Sequence, residues 1–203
     1  MLYAPPAYAA ADPLAIVRHY PFALLVTWSE GELLATSTPM FFETDESNEV
    51  LIGHLARRNN HASALQAGQR ALAIFSGPHA YVSSSWYVEK PTVPTWNYVV
   101  AHVRGTIQPI DDGESHLRIL RRTASVLEQE NSAPWTLEQA PAGTVERLLP
   151  HIRSFRLLVE KVEGVTKLSQ THPPGDRLRI IRHLLERHDD GSTQIARLMA
   201  QLE

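Results

Sequence analysis

Residues 21–42 read PFALLVTWSEGELLATSTPMFF, and the extended segments in this stretch decide the fold. Phe22-Ala23-Leu24-Leu25-Val26-Thr27-Trp28 is an apolar run of the length of a buried strand. Ser29-Glu30-Gly31-Glu32 is a turn, and Leu33 to Phe42 resumes extended structure. Pro39 falls inside this second run. Proline has no N–H to give a ladder, so it points to a sheet edge or a bulge there.

The chain on either side adds strands in a run. Upstream, Asp12-Pro13 starts a helix with a capping carboxylate and a first-turn proline, and Pro21 stops it. Downstream, Val50 to Leu55 is a third strand. Arg57 to His61 leads into a short helix over Ala62 to Ala67, ended by Gly68. Arg70 to Phe75 is a fourth strand, and Tyr98 to Ile110 a long fifth. Between them, Ser76 to Asn97 carries three prolines, two tryptophans and two tyrosines. Disordered loops are poor in aromatics, so this segment reads as an ordered, functional loop. Leu117, Leu120, Ala124 and Leu127 mark a helix over Glu114 to Glu130. Ala142 to Leu149 is a short helix and Ile152 to Val162 a sixth strand, ended by the Gly164 to Gln170 segment. Pro173-Pro174 opens a helical stretch, and Gly191 separates it from a last helix over Thr193 to Leu202. Strands in runs, not alternating with helices, give an α+β chain that is mainly β: an antiparallel sheet or small barrel with peripheral helices. Residues 1–170 form the β domain and residues 171–203 a helical extension packed on it.

Composition narrows the function. The chain has 203 residues, with 19 Lys+Arg against 22 Asp+Glu and a net charge of −3. That balance argues against a protein that coats nucleic acid or an anionic membrane. It has no cysteine, which excludes thiol nucleophiles, redox pairs and thiolate metal sites. No apolar run approaches the roughly 18 residues of a membrane span. The first residues have no basic region of a secretory signal, so a cytoplasmic protein is expected. Dinucleotide, P-loop and nucleophile-elbow motifs do not occur. The ten histidines are scattered with no metal-binding spacing, so no metal is expected. The basic stretch Arg177 to Arg187 is balanced by Asp176 and Glu186 and reads as a solvated helix face.

Three clusters have the chemistry to cradle a flat, anionic molecule. Gly53-His54-Leu55-Ala56-Arg57-Arg58-Asn59-Asn60 lies at a strand end before a helix. Free N–H groups and guanidinium forks bind phosphate there; the bland alternative is surface arginine beside a capping Asn. The loops Ser83-Ser84-Ser85-Trp86-Tyr87 and Val93-Pro94-Thr95-Trp96-Asn97-Tyr98 offer an aromatic wall with hydrogen-bonding groups, or simply cover a barrel mouth. Lys167-Leu168-Ser169-Gln170 reaches a phosphate or a polar ring edge, or is a solvated strand end.

GHLARRNN, IFSGPHAYVSSSWY, VPTWNYVVAHVRG and KLSQ, in this order, resemble the PaiB-type FMN-binding proteins from about residue 3 to about residue 190. The resemblance implies a split β-barrel similar to pyridoxamine-phosphate oxidases and flavin reductases, pairing as a homodimer with FMN in the clefts. By resemblance, the backbone of Ser37, Thr38, Pro39 and Met40 lines the flavin ring. His54, Leu55, Ala56, Arg57 and Asn59 match the block at ring edge and phosphate. Ser85, Trp86 and Tyr87, then Thr95, Trp96 and Asn97, match the two signature loops. Lys167 and Gln170 match the terminal block, supplied across the dimer. Ser84 stands where proline is common, and Thr171-His172 replace the usual Asn and basic residue. The resemblance implies a negative transcriptional regulator with DNA or a regulatory protein as partner. The alternative is a flavin-dependent oxidoreductase acting on a small molecule, in which the cofactor carries the redox chemistry.

Overall fold

The computed structural model describes residues 2–44 and 46–202. Among these described residues six strands form a closed antiparallel barrel in the order β1-β2-β3-β6-β5-β4. They are β1 (Phe22–Ser29), β2 (Glu32–Phe42), β3 (Val50–Ala56), β4 (Arg70–Val82), β5 (Thr95–Ile110) and β6 (Ile152–Lys167). Six helices accompany them: α1 (Pro13–His19), α2 (Asn60–Ala64), α3 (Gly113–Leu127), α4 (Thr144–Leu148), α5 (Pro174–Leu185) and α6 (Asp190–Ala200). The mainly β, antiparallel reading therefore holds.

The chain divides into two compact units, and β4, β5 and β6 contribute residues to both. One unit comprises Tyr20–Phe75 and Val103–Val162. Its interior is set by strict alternation. Ala23, Leu25, Met40, Leu51, Ala73, Phe75, Val103, Phe155 and Leu157 are fully buried, while Phe22, Leu24 and Trp28 point outward from β1. Burial of the larger of these side chains stabilises by about 1.5–3 kcal/mol each. Phe22 pairs with Pro39 and Trp28 with Leu33 across β1 and β2, and His54 pairs with Ser154 across β3 and β6. α3 is capped by Asp112, which accepts from the Ser115 N–H, and its Ile119 packs with Ile52 and Ile110.

Pro39 is not at an edge, since β2 has a neighbour on each side. It is the last residue of β2 in register with β1, and Met40 is the first in register with β3. The missing N–H falls where the strand changes partners, so the ladder loses little.

The other unit comprises Met1–His19, Ser76–His102 and Glu163–Glu203. Ala80, Val82, Tyr87, Leu168, Ile180, Leu184, Ile195, Ala196 and Met199 form its core. Three expectations are corrected here. β4 runs through Gly77-Pro78 to Val82, β5 begins at Thr95, and β6 continues through Gly164 to Lys167. The irregular segment thus shrinks to residues 83–94. Pro78, Ala80 and Val82 alternate inward against this core, and that packing overrides the turn signal of a Gly-Pro pair. Gly164 is required for close approach: a Cβ there would lie 2.8 Å from Pro13 Cβ and 2.9 Å from Ala10 Cβ, where the Ala10 N–H bonds the Gly164 carbonyl. Gly191 lies within the first turn of α6, not between helices; the break is at residues 186–189, with His188 at φ 56° and Asp189 capping α6.

The short irregular segment is held by one carboxylate. Asp176, in the first turn of α5, is fully buried and accepts from the backbone N–H groups of Val88 (2.7 Å), Glu89 (3.0 Å) and Lys90 (2.9 Å). Arg179 adds a fourth donor at 3.1 Å. Burial pushes the Asp176 carboxyl up, but the backbone donors and Arg179 outweigh it and hold it at about 2. The folded value lies below the ordinary 3.8, so its stabilisation is full above about pH 4 and is lost as pH falls toward 2. Asp176→Asn should destabilise the protein at neutral pH and flatten the fall in melting temperature between about pH 4 and 2. A melting series with the same slope in both proteins would remove Asp176 as the clamp.

Candidate functional site

The residues expected at the site fall into two groups, one in each unit. In the barrel unit, β2 presents Ser37 and Pro39 outward and turns Thr38 and Met40 into the core. Thr38 donates to the His54 carbonyl at 2.7 Å, tying β2 to the end of β3. Leu55 is buried; Ala56 and Arg57 are exposed. The Arg57 backbone N–H bonds the His151 carbonyl, and its Nε donates to the Pro150 carbonyl at 3.0 Å. Its terminal guanidinium nitrogens make no hydrogen bond among the described residues, so the fork is aimed by Nε and left open.

Asn59 caps α2, its Oδ1 accepting from the His61 N–H, and its Nδ2 donates to Thr36 Oγ1 at 3.1 Å. His61 is buried with Nδ1 3.0 Å from Thr36 Oγ1 and Nε2 2.9 Å from Thr27 Oγ1. This network stiffens the turn that carries Arg57. His61 was not singled out in the sequence; its place one residue inside a capped helix is the signal that was there to read. His116 and Ser154, joined at 2.8 Å, were likewise missed. Burial holds His116 below the usual imidazole range and the Arg57 guanidinium adds to it, against Asp112 and Asp111. Burial, then His116, does the same to His54, whose Nδ1 is buried with no partner among the described residues.

In the other unit, Ser83 caps the single 3-10 turn Ser84–Trp86, and Ser85 Oγ lies 2.8 Å from Ser83 Oγ. Trp86 stacks on His183 at 5.0 Å, with the Arg187 guanidinium 4.7 Å from its ring centre. Arg187 also lies 5.9 Å from the Tyr81 ring and donates to the Tyr81 carbonyl. Trp96, half exposed, contacts Tyr81 edge-on at 6.1 Å and His79 at 5.4 Å. Trp86 and Trp96 thus belong to one ladder running through Tyr81 and Arg187, neither of which was predicted. Tyr87 is buried and stacks on His172. Lys167 Nζ donates to Thr95 Oγ1 at 2.5 Å.

Two predicted residues are used internally. Asn97 is fully buried and exchanges hydrogen bonds with Ser169, donating also toward Met199 Sδ at 3.5 Å. Gln170 closes the turn after β6: Oε1 accepts from the Leu168 N–H and Nε2 donates to the Thr166 carbonyl, both at 2.7 Å. Ser169, between them, takes φ 58°. Their side chains hold the backbone in place.

The barrel and its strand order define the class, an antiparallel split β-barrel with peripheral helices. Two solved structures share that fold. The flavocytochrome Anf3 of Azotobacter vinelandii is similar with a TM-score of 0.59 at 15% identity, covering 78% of this chain and 69% of that one. An FAD and heme binding protein of Mycobacterium smegmatis is similar with a TM-score of 0.60 at 12% identity, covering 84% and 78%. At these identities the likeness concerns the fold alone. Residues 2–161 match the family described as "Putative FMN-binding domain", and the chain belongs to that family. It is 30% identical over 185 residues to "Protease synthase and sporulation protein PAI 2" of Bacillus subtilis (strain 168), covering 90% of this chain and 87% of the relative. The PaiB-type resemblance read from the sequence is thereby confirmed. Among the described residues no helix is long and apolar enough to cross a membrane.

Proposed function

We propose that the chain is a cytoplasmic protein that binds FMN at the interface of a homodimer and acts as a flavin-dependent regulator, passing its state to DNA or to a regulatory protein. The regulatory output follows the PaiB-type resemblance read from the sequence, and the cofactor follows the family.

One observation carries the reading: the outward face of β1 and β2 is apolar and open. Phe22 (64% exposed), Leu24, Val26 and Trp28 (59%) stand on β1 opposite Pro39, Ser37, Ala35 and Leu33 (69%) on β2. A contiguous apolar face of this kind marks an interaction surface. A second copy of the same strip covers it with two-fold symmetry. Ser37 and Pro39 lie in the strip itself, which brings the candidate flavin segment to the interface. The barrel-unit residues also fit the cofactor: the Arg57 fork is open and aimed, and His54 Nδ1 is a buried polar atom in need of a partner. In this reading Arg57 and Asn59 hold the phosphate end, and the β2 backbone lines the pyrimidine edge. When bound, the flavin supplies a redox-active ring; the protein supplies position and polarity.

The test is a flavin titration beside light scattering. The wild-type chain is expected to be a dimer that takes up FMN in preference to FAD. Leu33→Glu places a charge in the strip on both copies and should raise the dimer dissociation constant roughly 100-fold, with flavin lost in parallel. A monomer that still binds FMN tightly would overturn the shared site. A salt-dependent DNA shift supports the regulator. Bleaching of the bound flavin by reduced nicotinamide would assign it to an oxidoreductase instead.

A further inference from the structure

We propose that Tyr87, His172 and Lys167 form a binding site for an oxyanion, either a phosphate monoester or a carboxylate. The proposal does not rest on the flavin reading.

Tyr87 follows the 3-10 turn and is only 6% exposed. Its ring lies parallel to that of His172, with centres 4.6 Å apart and planes within 5°. Stacking of this quality orders both side chains. Yet Tyr87 Oη and His172 Nδ1 are both buried with no hydrogen-bond partner among the described residues. Buried polar atoms are nearly always paired, and an orphan calls for an explanation. Two orphans on one stacked pair point to a common missing partner.

The chemistry around them selects an anion. A phenol O–H donates, and so does an imidazole N–H when the proton is on Nδ1. Lys167 has three N–H donors and spends one on Thr95 Oγ1, with its ammonium 5.5 Å from the centre of the Tyr8 ring. Tyr8 in turn meets Thr171, the neighbour of His172, at 3.2 Å. Lys90 and Lys167 both act on His172 as positive charges. Asp176 opposes them, but its carboxylate is already taken up by three backbone N–H groups and Arg179. What remains is a set of unpaired donors beside positive charge, which suits an oxyanion better than a neutral group.

Two sources carry such a group: the phosphate of a bound flavin mononucleotide, which would then lie here and not at Arg57, or the phosphate or carboxylate of a second ligand. The experiment uses flavin-free full-length chain titrated with inorganic phosphate at constant ionic strength, read by thermal unfolding. Phosphate is expected to raise the melting temperature of the wild type with a saturable midpoint. Tyr87→Phe keeps the stack and removes one donor, and Lys167→Met removes another; each should raise the phosphate dissociation constant about tenfold. A second arm compares FMN with riboflavin in the Tyr87→Phe and Lys167→Met chains. If these changes weaken FMN and leave riboflavin unchanged, the oxyanion is the flavin's own; if they weaken neither, it belongs to a second ligand. A wild type that ignores phosphate, or a Tyr87→Phe chain that responds equally, overturns the site and leaves only water at the hydroxyl.

Discussion

Gly105→Ala is expected to cost about 3 kcal/mol or more and to lower the urea midpoint accordingly. Gly105 lies in β5, which the barrel order places between β6 and β4. A Cβ at this position would fall 1.9 Å from the Leu158 carbonyl oxygen and 2.8 Å from its carbon. Both are main-chain atoms of β6, so no rotamer change relieves the clash; the two strands must move apart. In an open sheet an outer strand could shift. In a closed barrel each strand is held on both sides, and displacement of one disturbs its neighbours. Gly113→Ala is the control. It sits at the start of α3, where a Cβ meets only Leu149 Cδ2 at 3.9 Å. That change should stay within about 1 kcal/mol of the wild type, on the stabilising side. Equal urea midpoints for the two variants would mean that β5 and β6 do not approach as described.

Arg57→Ala should weaken FMN binding by about 2–5 kcal/mol, or roughly thirtyfold to a few thousandfold. The argument is one of preorganisation. The Arg57 backbone is tied to His151 and its Nε to Pro150, while the terminal nitrogens stay free to fork onto a phosphate. Truncation removes that fork and leaves the phosphate facing a cleft without its cation. Riboflavin, which has no phosphate, should bind both proteins alike, and this separates loss of the phosphate contact from a distorted cleft. The fold should barely respond, since only one hydrogen bond, to Pro150, is lost, worth about 1 kcal/mol. An unchanged FMN dissociation constant would make Arg57 an anchor for the residue 150–151 turn and nothing more.

Much of the barrel was legible because local signals agree with it. Phe22 to Trp28 is an apolar run of strand length, Gly31 serves the turn at φ 87°, and Asp12 gives the first helix its cap, accepting from the Leu14 and Ala15 N–H groups. The candidate residues around Arg57 were legible for a similar reason: a strand end, an Asn cap and a guanidinium are neighbours in the chain. The reading failed where distant packing contradicts local chemistry. Gly77-Pro78 reads as a break, yet the strand passes through because Ala80 and Val82 face a core made in part by α5 and α6. The hydrogen bonds of Asn97 to Ser169 and Met199 join residues far apart in the chain and have no local signature either.

By itself, then, the order of residues determined six strands, the run of helices around them and the family. These depend on period, caps and turns, which act over a few residues. Only the tertiary structure decided that β3 pairs with β6, that a buried Asp176 clamps residues 88–90, and that Tyr87 and His172 stack with their polar atoms unpaired. Each of those joins residues about 85 to 110 positions apart, and at such separations the partner is selected by burial and by the demand that every interior polar group be paired, neither of which has a local signature.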